Sequence, residues 1–120
     1  MSKQTVYLAV DFTINEGKLD AFEVIAQAMV AGTQKEPGAL GYEWYVSADR
    51  KRCRLIETYA DANAVLAHFK GPVVQELVPK LLGTASVTGF DVYGYPGQTA
   101  TEMLAPFGAE IFEFRRGLGR

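Results

Sequence analysis

The sequence predicts an α+β fold in which helices cover one face of an antiparallel sheet. Three observations carry it. Apolar residues alternate with polar ones over Thr5–Ile14, Leu40–Ser47, the run ending at Tyr59, and Ala85–Tyr95, a two-residue period that marks strands. Helical spacing fills the long intervals after the first and third of these runs. Only a tight turn around Asp49-Arg50 separates the second run from the third. The order strand–helix–strand–strand–helix–strand is the ferredoxin-like split β-α-β arrangement.

Each element has its own justification. In the first strand Val6, Leu8, Val10, Phe12 and Ile14 share one face, with Tyr7, Ala9, Asp11 and Thr13 on the other. Both faces look at least partly covered, which suits a central strand. Asn15-Glu16-Gly17 turns the chain. From Lys18 to about Gln34 the residues Leu19, Phe22, Ile25, Ala26, Met29 and Val30 make one apolar stripe, and Pro37-Gly38 ends the connection. The second strand then alternates Leu40, Tyr42, Trp44 and Val46 against Gly41, Glu43, Tyr45 and Ser47. With Asp49-Arg50 as the turn, Val46 faces Cys53, Trp44 faces Leu55, and Tyr42 faces Glu57, so all three pairs fall on apolar faces.

The stretch Leu55–Phe69 passes from strand to helix, with Asp61 placed as the N-cap. Glu57 is the lone charge on the face it shares with Cys53, Leu55 and Tyr59, and His68 on the helix is the only histidine in the chain. Glu57 lies roughly 7–10 Å back from the strand end at about 3.3 Å per residue. His68 lies roughly 10 Å along the helix at about 1.5 Å per residue. An antiparallel helix over the sheet therefore brings both to one depth. The sequence predicts contact, directly or through one water.

After Gly71-Pro72 a second helical piece carries Val73, Val74, Leu77, Val78, Leu81 and Leu82, with a kink or break at Pro79 and an end at Gly83. Beyond the fourth strand, Thr99-Ala-Thr-Glu102 reads as a capping box opening a short helix to Phe107. Ala109–Phe114 alternates as a short strand or arm, and the Arg115–Arg120 tail is polar. Residues 1–95 thus make the ferredoxin-like domain, and 96–120 a C-terminal extension of it.

Composition bounds the function. A chain of 120 residues, 48% hydrophobic and 22% charged, supports one globular domain with its own core. A formal net charge of −2 argues against nucleic acid or an anionic membrane as partner. One cysteine permits no intrachain disulfide, and no run is long enough to span a bilayer. The start, Met-Ser-Lys-Gln-Thr-Val-Tyr-Leu, lacks a signal peptide's apolar run, so the expected location is the cytoplasm. The sheet face without helices still carries tyrosines, alanines and β-branched residues, which predicts a homodimer covering it.

Three segments, Glu36-Pro-Gly-Ala-Leu-Gly-Tyr42, Glu57-Thr-Tyr-Ala-Asp61 and Ala67-His68-Phe69, resemble the antibiotic-biosynthesis-monooxygenase superfamily. The likeness runs from about Val6 to Tyr95. It implies a dimeric α+β barrel, and several similar proteins oxidise quinols or polycyclic phenols with oxygen and no metal or flavin. Others are isomerases or haem-degrading enzymes. Many members carry a second histidine soon after the first, where this chain has Gly71-Pro72.

The inventory of residues fits that chemistry better than most. One His and one Cys cannot build a zinc site alone, and Gly94-Tyr-Pro-Gly97 is a turn rather than a phosphate cradle. No nucleophile elbow appears, and haem ligation would rest on His68 alone. Cofactor-free oxygenation needs a base, donors for an oxyanion, and an apolar cavity. The expected catalytic residues are His68, Glu57 and Asp11, with Trp44, Tyr42, Phe22 and Tyr93 as substrate-binding residues and no metal or other cofactor. The leading expectation is a monooxygenase acting on a small apolar quinol or phenol. The alternatives are an acid–base isomerase of a small carbonyl compound and a binding module without turnover. Each residue also has a structural reading: His68 at the core edge, Glu57 anchoring its strand, Trp44 and Phe22 as plain core, and Asp11 paired with a lysine or arginine.

Overall fold

The computed structural model describes residues 3–120; Met1 and Ser2, with which the reading of the chain's start begins, lie outside them. Five strands, β1 (Val6–Ile14), β2 (Ala39–Val46), β3 (Arg52–Tyr59), β4 (Ala85–Tyr93) and β5 (Glu110–Phe112), form one sheet in the order β2-β3-β1-β4-β5. The first four pair antiparallel in the split β-α-β order, with β1 central as its alternation predicts. The addition is β5, which pairs parallel with β4 and makes the sheet mixed.

The hairpin register is the one the turn dictates: Tyr42 opposite Glu57, Trp44 opposite Leu55, Val46 opposite Cys53. Arg50 at the turn has φ 64, and the Asp49 carboxylate there accepts from the Lys51 amide and the Ser47 hydroxyl. Helix α1 (Leu19–Thr33) buries Phe22, Ala26, Met29 and Thr33 on the sheet. Helix α2 (Ala62–Lys70) starts at Asp61, whose carboxylate accepts from the Ala64 amide at 2.9 Å, and buries Val65, His68 and Phe69. The break expected near Pro79 is a π-helical turn (Val73–Leu77) leading into the short helix α3 (Val78–Leu81). Proline has no N–H to give and crowds the carbonyl four residues back, so a regular ladder cannot run through it.

Two boundaries differ from expectation. β4 stops at Tyr93 because Gly94 takes φ 102, where a side chain is strained and a Cβ would meet the Thr5 carbonyl at 3.0 Å. Helix α4 (Gln98–Leu104) starts from Gly97, so Thr99 lies inside the helix and the capping box does not form. A 3₁₀ turn (Ala105–Phe107) and Gly108, at φ 77, then reverse the chain into β5.

The core lies between the sheet and the helices. All five inward residues of β1, Val6 to Ile14, are buried there, together with Phe22, Leu55, Tyr59, Leu81 and Leu104. The opposite face has no helix over it, the sheet does not close on itself within one chain, and Tyr45 and Tyr93 stand exposed. Among the described residues no helix is long and apolar enough to cross a membrane.

Candidate active site

The site begins with strand alternation. Glu57 points inward from β3 with its apolar neighbours and is 3% exposed; His68, from the packed face of α2, is 1% exposed. The imidazole Nε2 stands 3.8 Å from Glu57 Oε1. That is the depth match the sequence predicts, about 1 Å longer than a hydrogen bond.

Two further carboxyl and phenol groups complete the cluster. The Tyr59 hydroxyl donates to Glu57 Oε1 at 2.5 Å. His68 Nδ1 lies 2.9 and 3.2 Å from the two oxygens of Glu36, in the connection after α1. A carboxylate only accepts, so the ring proton belongs on Nδ1 and Nε2 faces Glu57 with its lone pair. The rings of Tyr42 and Tyr59 both pack near the imidazole, each centroid 5.4 Å away.

Burial decides the charge states. Desolvation pushes the Glu57 carboxyl up to about 8, against the opposing hydrogen bond from Tyr59. Desolvation also lowers the His68 pKa, more than the Glu36 carboxylate restores it. Burial raises both phenols, Tyr42 and Tyr59. At neutral pH the centre therefore holds a neutral carboxylic acid beside a neutral imidazole, not the ion pair that an ionised Glu57 would form.

Glu57, His68 and Tyr42 line an apolar cavity of about 40 Å³, together with Val10, Met29, Leu55, Phe90 and the helical residues Val74 and Val78. That narrow volume is far below the roughly 300–1,000 Å³ of ligand sites. A substrate must therefore displace part of the wall. Val74 and Val78 sit on the π-turn and α3, the segment without a continuous α-helical ladder.

The predicted residues divide. His68, Glu57 and Tyr42 come together at the cavity. Asp11 lies on the other face of the sheet, where its carboxylate accepts from Arg54 at 3.0 Å, and so is no part of this cluster. Tyr93 also lies on that face, stacked on Phe112 with centroids 5.5 Å apart. Trp44 and Phe22 pack against each other and against Phe12 beside the cavity, and the Trp44 indole N–H is buried without a partner. Two site residues escaped the sequence reading. Tyr59 shares Glu57's face at a spacing of two and was open to the alternation argument; Glu36 is 32 residues from His68, with only its place in the Glu-Pro-Gly turn to mark it.

Among the described residues no cluster of three or more His, Cys, Asp or Glu is placed to hold a metal ion. Cys53 is buried, and burial pushes its thiol up to about 11, which leaves it unreactive.

The fold and the site together define a small α+β protein with a carboxyl, imidazole and phenol cluster buried under its helical layer. The chain belongs to the antibiotic biosynthesis monooxygenase family, whose pattern matches residues 5–80. Among solved structures it is similar to MupZ from Pseudomonas fluorescens, at 26% identity and TM-score 0.84 over 98% of this chain and 95% of that one. It shares its fold with SnoaB from Streptomyces nogalater, a cofactor-independent oxygenase, at 16% identity and TM-score 0.68 over 79% of this chain and 96% of that one. No curated protein sequence matches the chain.

Proposed function

We propose that the protein is a cofactor-independent monooxygenase acting on a neutral, apolar phenol or quinol with an unsubstituted ring carbon para to a hydroxyl. The observation that carries this reading is a neutral imidazole whose Nε2 faces a neutral carboxylic acid inside an apolar cavity. His68 takes the hydroxyl proton at Nε2, and the Glu36 carboxylate stabilises the imidazolium that forms. The electron-rich phenolate ring then attacks molecular oxygen at the para carbon, forming a C–O bond. The imidazolium returns its proton to the peroxide anion, and the resulting hydroperoxide loses water. The para C–H proton passes to the freed His68 Nε2, the O–O bond breaks, and Glu57 supplies a proton to the departing hydroxide and regains one from the imidazolium. One oxygen atom enters the product as a quinone carbonyl and the other leaves as water with two substrate hydrogens. Low polarity around the site strengthens each of these interactions. The likeness of fold to a cofactor-independent oxygenase supports the reading.

The uncovered sheet face supports a homodimer, with a second copy completing the barrel. Sedimentation at micromolar concentration tests it, and a monomer there removes it.

The test of the reaction is oxygen uptake with a panel of phenols and quinols, with ¹⁸O₂ followed into the product. Uptake with one labelled atom per product is expected. A second reading uses the same neutral acid and base without oxygen, to move a proton within a small carbonyl compound. Product formed under nitrogen, with no oxygen uptake by any phenol, would establish that reading instead.

A further inference from the structure

The acid–base centre occupies one end of the cavity, and at the other end a residue of the C-terminal extension joins the wall. Register places Glu57 beside Leu8 on β1, while Val87 on β4 pairs with Phe12. Four residues along the sheet and two strands across separate Glu57 from Val87, a diagonal of about 16 Å. At this far end the cavity is walled by Leu82, Val87, Phe90 and Phe107. Leu82 is 38% exposed, so the cavity nears solvent here rather than at the buried acid–base end.

Phe107 belongs to the extension, beyond the residues 5–80 of the family match, yet inside the likeness to MupZ that spans 98% of the chain. Its support is rigid. Helix α4 anchors it through Ala100 and Leu104, 1% and 0% exposed, and packs on α2, the helix of His68. On its other side Gly108 turns the chain into β5, which is hydrogen-bonded to β4. The ring lies 6.2 Å, centroid to centroid, from Phe90. No charged side chain lines this end.

We infer that Phe107 is a specificity-determining residue: it closes the far end of the cavity and sets how long an apolar substituent the substrate carries away from its reacting ring. This rests on the reading of the cavity as a phenol or quinol site. It assigns a substrate class, a neutral phenol bearing a hydrophobic tail that runs from Glu57 and His68 toward Leu82.

Binding of 3-alkylphenols of increasing chain length, which keep the carbon para to the hydroxyl free, tests the assignment by calorimetry without requiring turnover. Affinity of the wild-type chain should rise about fourfold per methylene and then stop at a cut-off length. Phe107→Ala should carry the rise past that cut-off, with the longest phenol bound at least tenfold more tightly than by wild type. Phe107→Trp, which keeps an aromatic ring and so guards against a folding defect in the alanine variant, should shorten the cut-off. Phe112→Ala, on the opposite sheet face, should leave it in place. Glu57→Gln should weaken all lengths alike without moving it. The same cut-off in wild type and both Phe107 variants overturns the inference while leaving the phenol site standing. A wild-type chain that binds no phenol of any length overturns the phenol site and this inference with it.

Discussion

Asp11 and Glu57 are carboxylic acids on adjacent strands of one sheet, on opposite faces, and they behave as different chemical groups. Asp11 is half exposed and its carboxylate is held by Arg54 in an ion pair that water and salt reach. Glu57 is 3% exposed, has only a phenol as donor, and faces a neutral imidazole, so its pKa rises to about 8. The alternation of a strand decides which face each joins, and the layer above that face decides what each can do. A carboxyl group becomes an acid useful near neutral pH only where the helices exclude water. Substitutions that exchange these circumstances test the contrast.

The largest effect is expected at the imidazole beside Glu57. His68→Ala should lower oxygen uptake by about 10²–10⁴-fold, the usual contribution of a positioned base. Asp11→Asn should leave uptake unchanged. Equal losses in the two variants would mean that the buried face is not the reacting one.

The pH dependence of stability comes next. Glu57 is raised in the folded state, so its contribution is complete below about 4.5 and is lost as pH rises toward about 8. His68 is lowered from 6.5, so its contribution is present above that pH and is lost as pH falls through the folded value. The two oppose each other below about 6.5, and between there and about 8 only the Glu57 loss operates. Urea midpoints should therefore fall over that upper interval in the wild type and stay level in Glu57→Gln. A wild-type curve already level there would place Glu57 in the ionised form.

Tyr59→Phe removes the donor to Glu57 and leaves a buried carboxyl oxygen without it, a loss of about 1–3 kcal/mol by chemical denaturation. The hydrogen bond from Tyr59 opposes the upward shift, so the Glu57 pKa, followed by ¹³C NMR of its side-chain carboxyl, should move higher still. An unchanged pKa would mean that Tyr59 does not donate to Glu57 in solution.

The smallest change belongs to the exposed face. Asp11→Asn should cost less than about 1 kcal/mol, and raising the salt concentration should shrink the difference. A larger, salt-independent loss would show that Asp11 is buried in the assembled protein, as a covering second copy would make it.

The sequence alone settled whatever depends on local period. Alternation put Glu57 among the apolar residues of its strand, the Asp49-Arg50 turn set Tyr42 opposite Glu57, and Asp61 fixed the start of the helix that carries His68, whereas Asp11, expected beside them, was separated only by the assembled sheet. Strand and helix rises even gave the common depth of Glu57 and His68. Packing between distant segments decided the rest. Glu36 reaches His68 across 32 residues, and Phe107 reaches the far end of the cavity from an extension whose helix starts off the predicted cap. The charge of the central pair was settled there too: opposite charge and burial shift the imidazole in opposite directions, and burial dominates. Period is a property of neighbouring residues, whereas desolvation is a property of everything packed around a group; only the assembled layers fix its size.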